Sequence, residues 1–234
     1  MCTAASPPVD MDGEAANKRR RLEPKLHPAS LEFISSLPDD MLLVIIGLLP
    51  TKSAVRTALL SQRWRPLWRC IPLNLTVDSC LYYGDCKRMA VVSKILSSHP
   101  GPARRLDIRM LSTNCKVQPK FDEWFLSPAL DQLEQLSFEV GRCRSLPPST
   151  LRLTPTLRHT SFSSCYLTKI NAAPALLLPQ LKQLDLFDVV ISKKAMEHLL
   201  HSCTALEYLR LEQIHGFISL HIASTNLRWI YVSS

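Results

Sequence analysis

One spacing constrains this chain more than any other feature. The triplet of apolar positions i, i+3 and i+5 recurs as Leu133, Leu136, Phe138; Leu157, Thr160, Phe162; Leu181, Leu184, Leu186; Leu206, Leu209, Leu211; and Leu227, Ile230, Val232. The starts step by 24, 24, 25 and 21 residues, and a weaker unit precedes them at Leu106 and Ile108. A unit this short cannot bury its own apolar face, so such a series predicts stacked repeats sharing one continuous core. Ala195–Leu200 reads as a helix on the outer side of one repeat, leading into Cys203-x-x-Leu206. Thr160 is the poor fit in the series. Residues that alternate with the inward ones face away from the core and are free to bind. On that basis Glu139, Asp185, Phe187, Tyr208, Arg210, Glu212, Trp229 and Tyr231 are candidates for contacting a target, the alternative at each being an ordinary solvated strand residue. No polar capping unit follows the last triplet before Ser234, from which a truncated or short form with an incomplete binding surface is expected.

The stretch from Leu31 to Leu75 has a different texture, three short helices separated by strong punctuation. Leu37-Pro38-Asp39-Asp40 opens the first, with proline in the first turn and acids where the helix dipole favours them. That helix is expected over Met41 to Leu49, stopped by Pro50. Thr51 is expected to cap a second helix over Lys52 to Leu59, and Ser61 a third that Pro66 should kink or shorten. The first helix is apolar nearly all round, with Leu42, Ile45, Ile46 and Leu49 on one side and Met41, Val44 and Leu48 on the other. A unit of about 45 residues cannot hide both faces in its own core. One face therefore meets either another body or the rest of this chain, and periodicity alone leaves both open.

The string from Ile34-Ser35-Ser36-Leu37-Pro38-Asp39-Asp40 through Pro50-Thr51-Lys52 to Leu60-Ser61-Gln62-Arg63-Trp64 resembles the F-box, especially that of plant F-box and leucine-rich-repeat proteins. The resemblance implies an α/β fold in which a three-helix F-box at 31–75 is followed by an irregular leucine-rich-repeat solenoid, an α/β horseshoe, at 76–234. It implies a non-catalytic receptor subunit of a Skp-cullin-F-box ubiquitin ligase. The F-box would bind a Skp-type adaptor, and through it a cullin scaffold, while the repeats hold a target protein. It places adaptor contacts on Leu37, Pro38, Leu42, Ile45, Ile46, Leu49 and Pro50, completed by Val55, Leu59, Leu60 and Trp64.

The remaining sequence sets limits. Residues 1–30 are rich in Pro, Ala, Ser and charge and are expected to be a disordered tail. Within them Lys18, Arg19, Arg20 and Arg21 form a basic run that suits an import receptor, or else a solvated linker, so nucleus, cytoplasm or both are expected. The formal charge of +8 permits a nucleic-acid partner, but the 28 basic residues are scattered. The eight cysteines form no Cys-x-x-Cys pair, and no signal peptide or apolar run long enough to span a membrane is found. Asn74-Leu75-Thr76 matches a glycosylation pattern that means nothing without secretion. The six glycines are never closer than 17 residues, which leaves no phosphate-binding loop. His198, His201 and Cys203 lack a fourth ligand at zinc spacing. No cofactor and no catalytic constellation is implied. The competing readings are a nuclear nucleic-acid-binding protein, and a scaffold whose F-box engages no adaptor.

Overall fold

A computed structural model of the chain describes residues 34, 36–49, 51–57, 59–78, 85–99, 101–109, 118–167, 177–222 and 224–233. The expected tail at 1–30 with Lys18, Arg19, Arg20 and Arg21, and Pro50, lie outside the described residues. The chain divides into one unit ending at Leu37 and a second running from Pro38 to Ser234. Everything below Leu37 in the following account belongs to the second unit, which is a mixed α/β structure.

Its frame is one seven-stranded parallel sheet in which spatial order follows chain order. The strands are β1 Leu73–Val77, β2 Ala103–Arg109, β3 Gln135–Ser145, β4 His159–Tyr166, β5 Gln183–Val190, β6 Tyr208–His215 and β7 Trp229–Ser233. The register aligns the repeat residues with one another. One inward column runs Leu75, Leu106, Leu136, Thr160, Leu184, Leu209, Ile230, and the next runs Val77, Ile108, Phe138, Phe162, Leu186, Leu211, Val232. From β1 to β6 these side chains are buried, at most 6% exposed, whereas Ile230 and Val232 on β7 are 49% and 67% exposed. Thr160 therefore fits the column by position. Its hydroxyl has no protein partner, and it borders a small enclosed space of about 30 Å³ shared with Thr150 and Leu178.

The covered face is closed by helices α4 Asp85–Ser98, α5 Gln118–Phe125 and α6 Lys193–Ser202, and by two 3₁₀ turns at Pro128–Leu130 and Pro148–Leu153. Ser192 caps α6 by accepting from the Ala195 amide at 3.2 Å, and Ala195, Met196 and Leu199 turn inward. Aromatic rings fill the space under β3, where Phe121 meets Phe138 edge-on at 5.3 Å and Trp124 is anchored by donating to Ser93 at 2.8 Å.

Three strands share a backbone irregularity that the sequence does not advertise. Ser164, Asp188 and Gln213 have φ of 53°, 50° and 51°, and each lies four residues after the second repeat position. The left-handed residue kinks the strand and turns Cys165 and Val189 back into the core. Beyond β6, Gly216 has φ of 113°, and a Cβ there would meet the Ile191 carbonyl at 2.3 Å, so only glycine allows the approach.

The helices of the segment that resembles an F-box are α1 Asp39–Leu48, α2 Thr51–Thr57 and α3 Trp64–Cys70. Two expectations about them are corrected. Thr51 lies inside α2, and its hydroxyl donates to the Asn74 carbonyl of β1 instead of capping the helix. Pro66 is the third residue of α3, where an amide has no intrahelical partner to lose, so the helix runs through it from Trp64 to Cys70. Asn74 also donates to the Gly47 carbonyl at 3.4 Å, and Trp68 packs edge-on against His99 at 4.9 Å. β1 thus ties the helices to the sheet. A boundary at residue 75 falls inside that strand.

Two stability changes follow. Leu184→Ala should cost about 2–5 kcal/mol, because it opens a cavity in the inward column. Gln213→Gly should gain about 1 kcal/mol by relieving the left-handed backbone of an exposed residue. Urea unfolding of the two variants measures both. The thiols give a second readout: burial pushes those of Cys165 and Cys203 up to about 12, so at pH 8 iodoacetamide should modify exposed Cys70 and spare these two until the chain unfolds.

Candidate functional site

α1 starts where the sequence allows little else. Pro38 sits at the cap position with extended backbone, and Asp39 and Asp40 fill the first turn beside the unpaired amides. Arg63 at the start of α3 reaches back to Asp39, 2.8 Å from Nε and 2.6 Å from Nη2, which fixes the two helix starts together.

The helix then divides its apolar residues between two duties. Leu42 and Ile46 are fully buried, and Ala54, Trp64 and Leu67 are buried on the two helices that α1 contacts. Met41, Val44, Ile45 and Leu48 are 53%, 60%, 38% and 81% exposed. These four stand at i, i+3, i+4 and i+7, the spacing of one continuous helical stripe. Val55 at 39%, Leu59 at 81% and Leu60 at 68% add further exposed apolar side chains on α2 and the turn after it.

Of the residues assigned to adaptor contact from sequence, Leu42, Ile46 and Trp64 are corrected to core. A side chain with 0%, 0% and 7% exposure, respectively, has no surface to offer a partner in this conformation. Pro38, Ile45, Val55, Leu59 and Leu60 are exposed, Leu49 is half-buried, and Leu37 is half-buried in the first unit. Met41, Val44 and Leu48 complete the exposed stripe. The sequence signal for them was the apolar second side of the helix.

The second surface is the open face of the sheet. Register places Glu139, Asp185, Phe187, Tyr208, Arg210, Glu212, Trp229 and Tyr231 on it together, at positions between and beside the inward columns. Its two ends differ. At β2, Asp107 is buried beneath Arg105 and Arg109, with Arg109 donating from Nε at 2.8 Å and Nη2 at 2.6 Å, and the Asp107 carboxylate holds the Arg109 guanidinium above its ordinary value. A recess of about 590 Å³ lies between these arginines and Gly47 to Leu49 at the end of α1. The middle is a floor of small side chains, Ser137, Ser161 and Ser163. At β6 and β7, Tyr208, Trp229 and Tyr231 are each 42–46% exposed, and the rings of Trp229 and Tyr231 are parallel within 8° at 5.9 Å. Sequence reasoning missed Arg105, Asp107 and Arg109, because the repeat pattern in β2 is weak.

His198 and His201 are exposed on α6 while Cys203 is buried, and no group of three His, Cys, Asp or Glu among the described residues is placed to hold a metal ion. No helix among the described residues is long and apolar enough to cross a membrane.

Comparison with known proteins assigns both regions. The F-box domain family matches residues 34–76, and the family described as FBD-associated F-box protein At5g56370, LRR repeats, matches residues 121–234. Similar proteins of Arabidopsis thaliana include F-box/FBD/LRR-repeat protein At1g13570, 25% identical over 87% of this chain and 49% of its own length. F-box/FBD/LRR-repeat protein At5g56420 is 30% identical over 78% of this chain and 44% of its own. Putative F-box/FBD/LRR-repeat protein At5g52460 is 33% identical over 76% and 45%. The chain thus spans about half the length of the relatives it matches. No solved structure shows a significant match.

The division of α1 predicts unequal effects of the same substitution. Ile46→Asp should prevent folding of the F-box helices, since it buries an unpaired carboxylate. Leu48→Asp should leave the unfolding free energy within about 0.5 kcal/mol of the parent, as for other surface changes. Circular dichroism during thermal unfolding separates the two.

Proposed function

Because this chain is a plant-type F-box/leucine-rich-repeat protein, we propose that it is the substrate-recognition subunit of a Skp-cullin-F-box ubiquitin ligase. The observation that carries the proposal is the stripe of Met41, Val44, Ile45 and Leu48, four large apolar side chains exposed on one helix inside the matched F-box. Soluble surfaces seldom leave such residues contiguous without a partner, and a helix face laid into an apolar groove is a common mode of protein recognition. The occupant is a Skp-type adaptor, with Pro38, Val55, Leu59 and Leu60 extending the contact and the adaptor linking the chain to a cullin. The open face of the sheet takes the target. Ubiquitin chemistry belongs to the other subunits, so the chain itself needs no cofactor and no metal. The basic run Lys18–Arg21 supports a nuclear pool beside a cytoplasmic one.

Gel filtration of the chain with a purified Skp-type adaptor at micromolar concentration tests the reading. A stable complex is expected, and Leu48→Asp combined with Val44→Asp should weaken it by more than about 2 kcal/mol, as for buried anchors. Co-elution that survives both substitutions would place the interface elsewhere, and no complex with the parent chain would defeat the proposal.

A further inference from the structure

The aromatic end of the open face has a chemistry of its own. We propose that Tyr208, Trp229 and Tyr231 form a shelf that binds an extended, proline-rich segment of a target protein. The proposal rests on the receptor reading above and names the kind of segment the repeats take.

The shelf is pre-arranged. Register sets Tyr208 beside Trp229, and Tyr231 lies two residues along the same strand as Trp229, on the same face. The Arg210 guanidinium stands 5.6 Å from the Tyr231 ring centre and is held there by Glu212, 2.7 Å from Nε and 2.5 Å from Nη2. Arginine, tyrosine and indole thus make one layered surface whose order is established before any ligand arrives, which lowers the cost of binding.

Charge then selects the ligand. The cations and carboxylates bordering the shelf are spent on one another: Arg210 on Glu212, Lys182 on Glu207 at 3.0 Å, and Arg228 on Glu207 at 3.7 Å. Asp185 accepts from Gln183 at 2.8 Å. Three positive and three negative groups leave no net charge to attract an ionic segment, and at every one of them but Asp185 a charged ligand would have to break an existing ion pair. The polar groups the rings themselves present are two phenol hydroxyls and one indole N–H, with no hydrogen-bond partner among the described residues. The complement of that surface is uncharged, apolar, rich in carbonyl acceptors and poor in N–H groups. A polyproline II segment has these properties, since each proline lacks an amide proton, its carbonyls point outward unpaired, and its ring lies flat on an aromatic face. Strand spacing of about 4.8 Å and a two-residue step of about 7 Å give the three rings room for two or three prolines.

Fluorescence anisotropy of the full chain with fluorescein-labelled decaproline tests this, with Gly-Ser, oligolysine and oligoglutamate decapeptides as comparisons. Decaproline should bind at least about tenfold tighter than any of the three. Trp229→Ala and Tyr231→Ala should each weaken it by about tenfold, Trp229→Phe by much less, and Arg105→Ala at the far end of the sheet not at all. Equal binding of all four peptides, preference for a charged one, absent decaproline binding, or insensitivity to the alanine substitutions would each overturn the proposal. Adaptor binding measured on the same variants stands apart: its persistence when the peptide result is negative removes the shelf and leaves the receptor reading intact.

Discussion

The structure depends on apolar side chains stacked in register across a parallel sheet. Leu75, Leu106, Leu136, Thr160, Leu184 and Leu209 are not neighbours in sequence, yet each covers the next because successive strands keep register through this column. Burying a leucine is worth about 1.5–3 kcal/mol, and no single 24-residue unit buries enough of them to fold alone. The period is therefore both the sequence signature and the physical cause of the fold. From β1 to β6 it also commits one face of the sheet to the core, which leaves the other face free for the proposed recognition.

The F-box solves a related problem at smaller scale. Its helices hold too few residues to bury all their apolar surface, and α1 resolves this by sending Leu42 and Ile46 inward and leaving Met41, Val44, Ile45 and Leu48 outside. Thr51, Asn74 and Gly47 then join the helices to β1 through side-chain-to-backbone hydrogen bonds, so the exposed stripe is carried on the first strand of the sheet rather than on a free linker. In the proposed ligase, that junction would set the orientation of target relative to adaptor.

What the sequence revealed follows from which interactions are periodic. The triplets predicted β3 to β7 and their mutual alignment, and α6 was legible from its own helical period. β1 was hidden because Leu73, Leu75 and Val77 stand in a segment that reads as the end of the F-box. The side of α1 that faces inward was not legible, because a helix apolar all round carries no internal mark of which stripe packs; only the positions of Ala54, Trp64 and Leu67 decide it. Pro66 misled for a different reason, since its effect depends on where α3 begins, and helix starts are set by tertiary contacts such as Arg63 with Asp39. The aromatic shelf was visible as residues but not as a surface, because its parallel rings and its internally paired charges are properties of strand register.

The central claim is that the exposed stripe of α1, and not the buried one, meets the adaptor. Hydrogen–deuterium exchange of the chain with and without a Skp-type adaptor tests it most directly. The account predicts new protection concentrated in peptides covering 39–48 and the turn at 59–60, with β4 to β6 unchanged. Protection centred on the sheet, with α1 exchanging as fast as in the free chain, would contradict it.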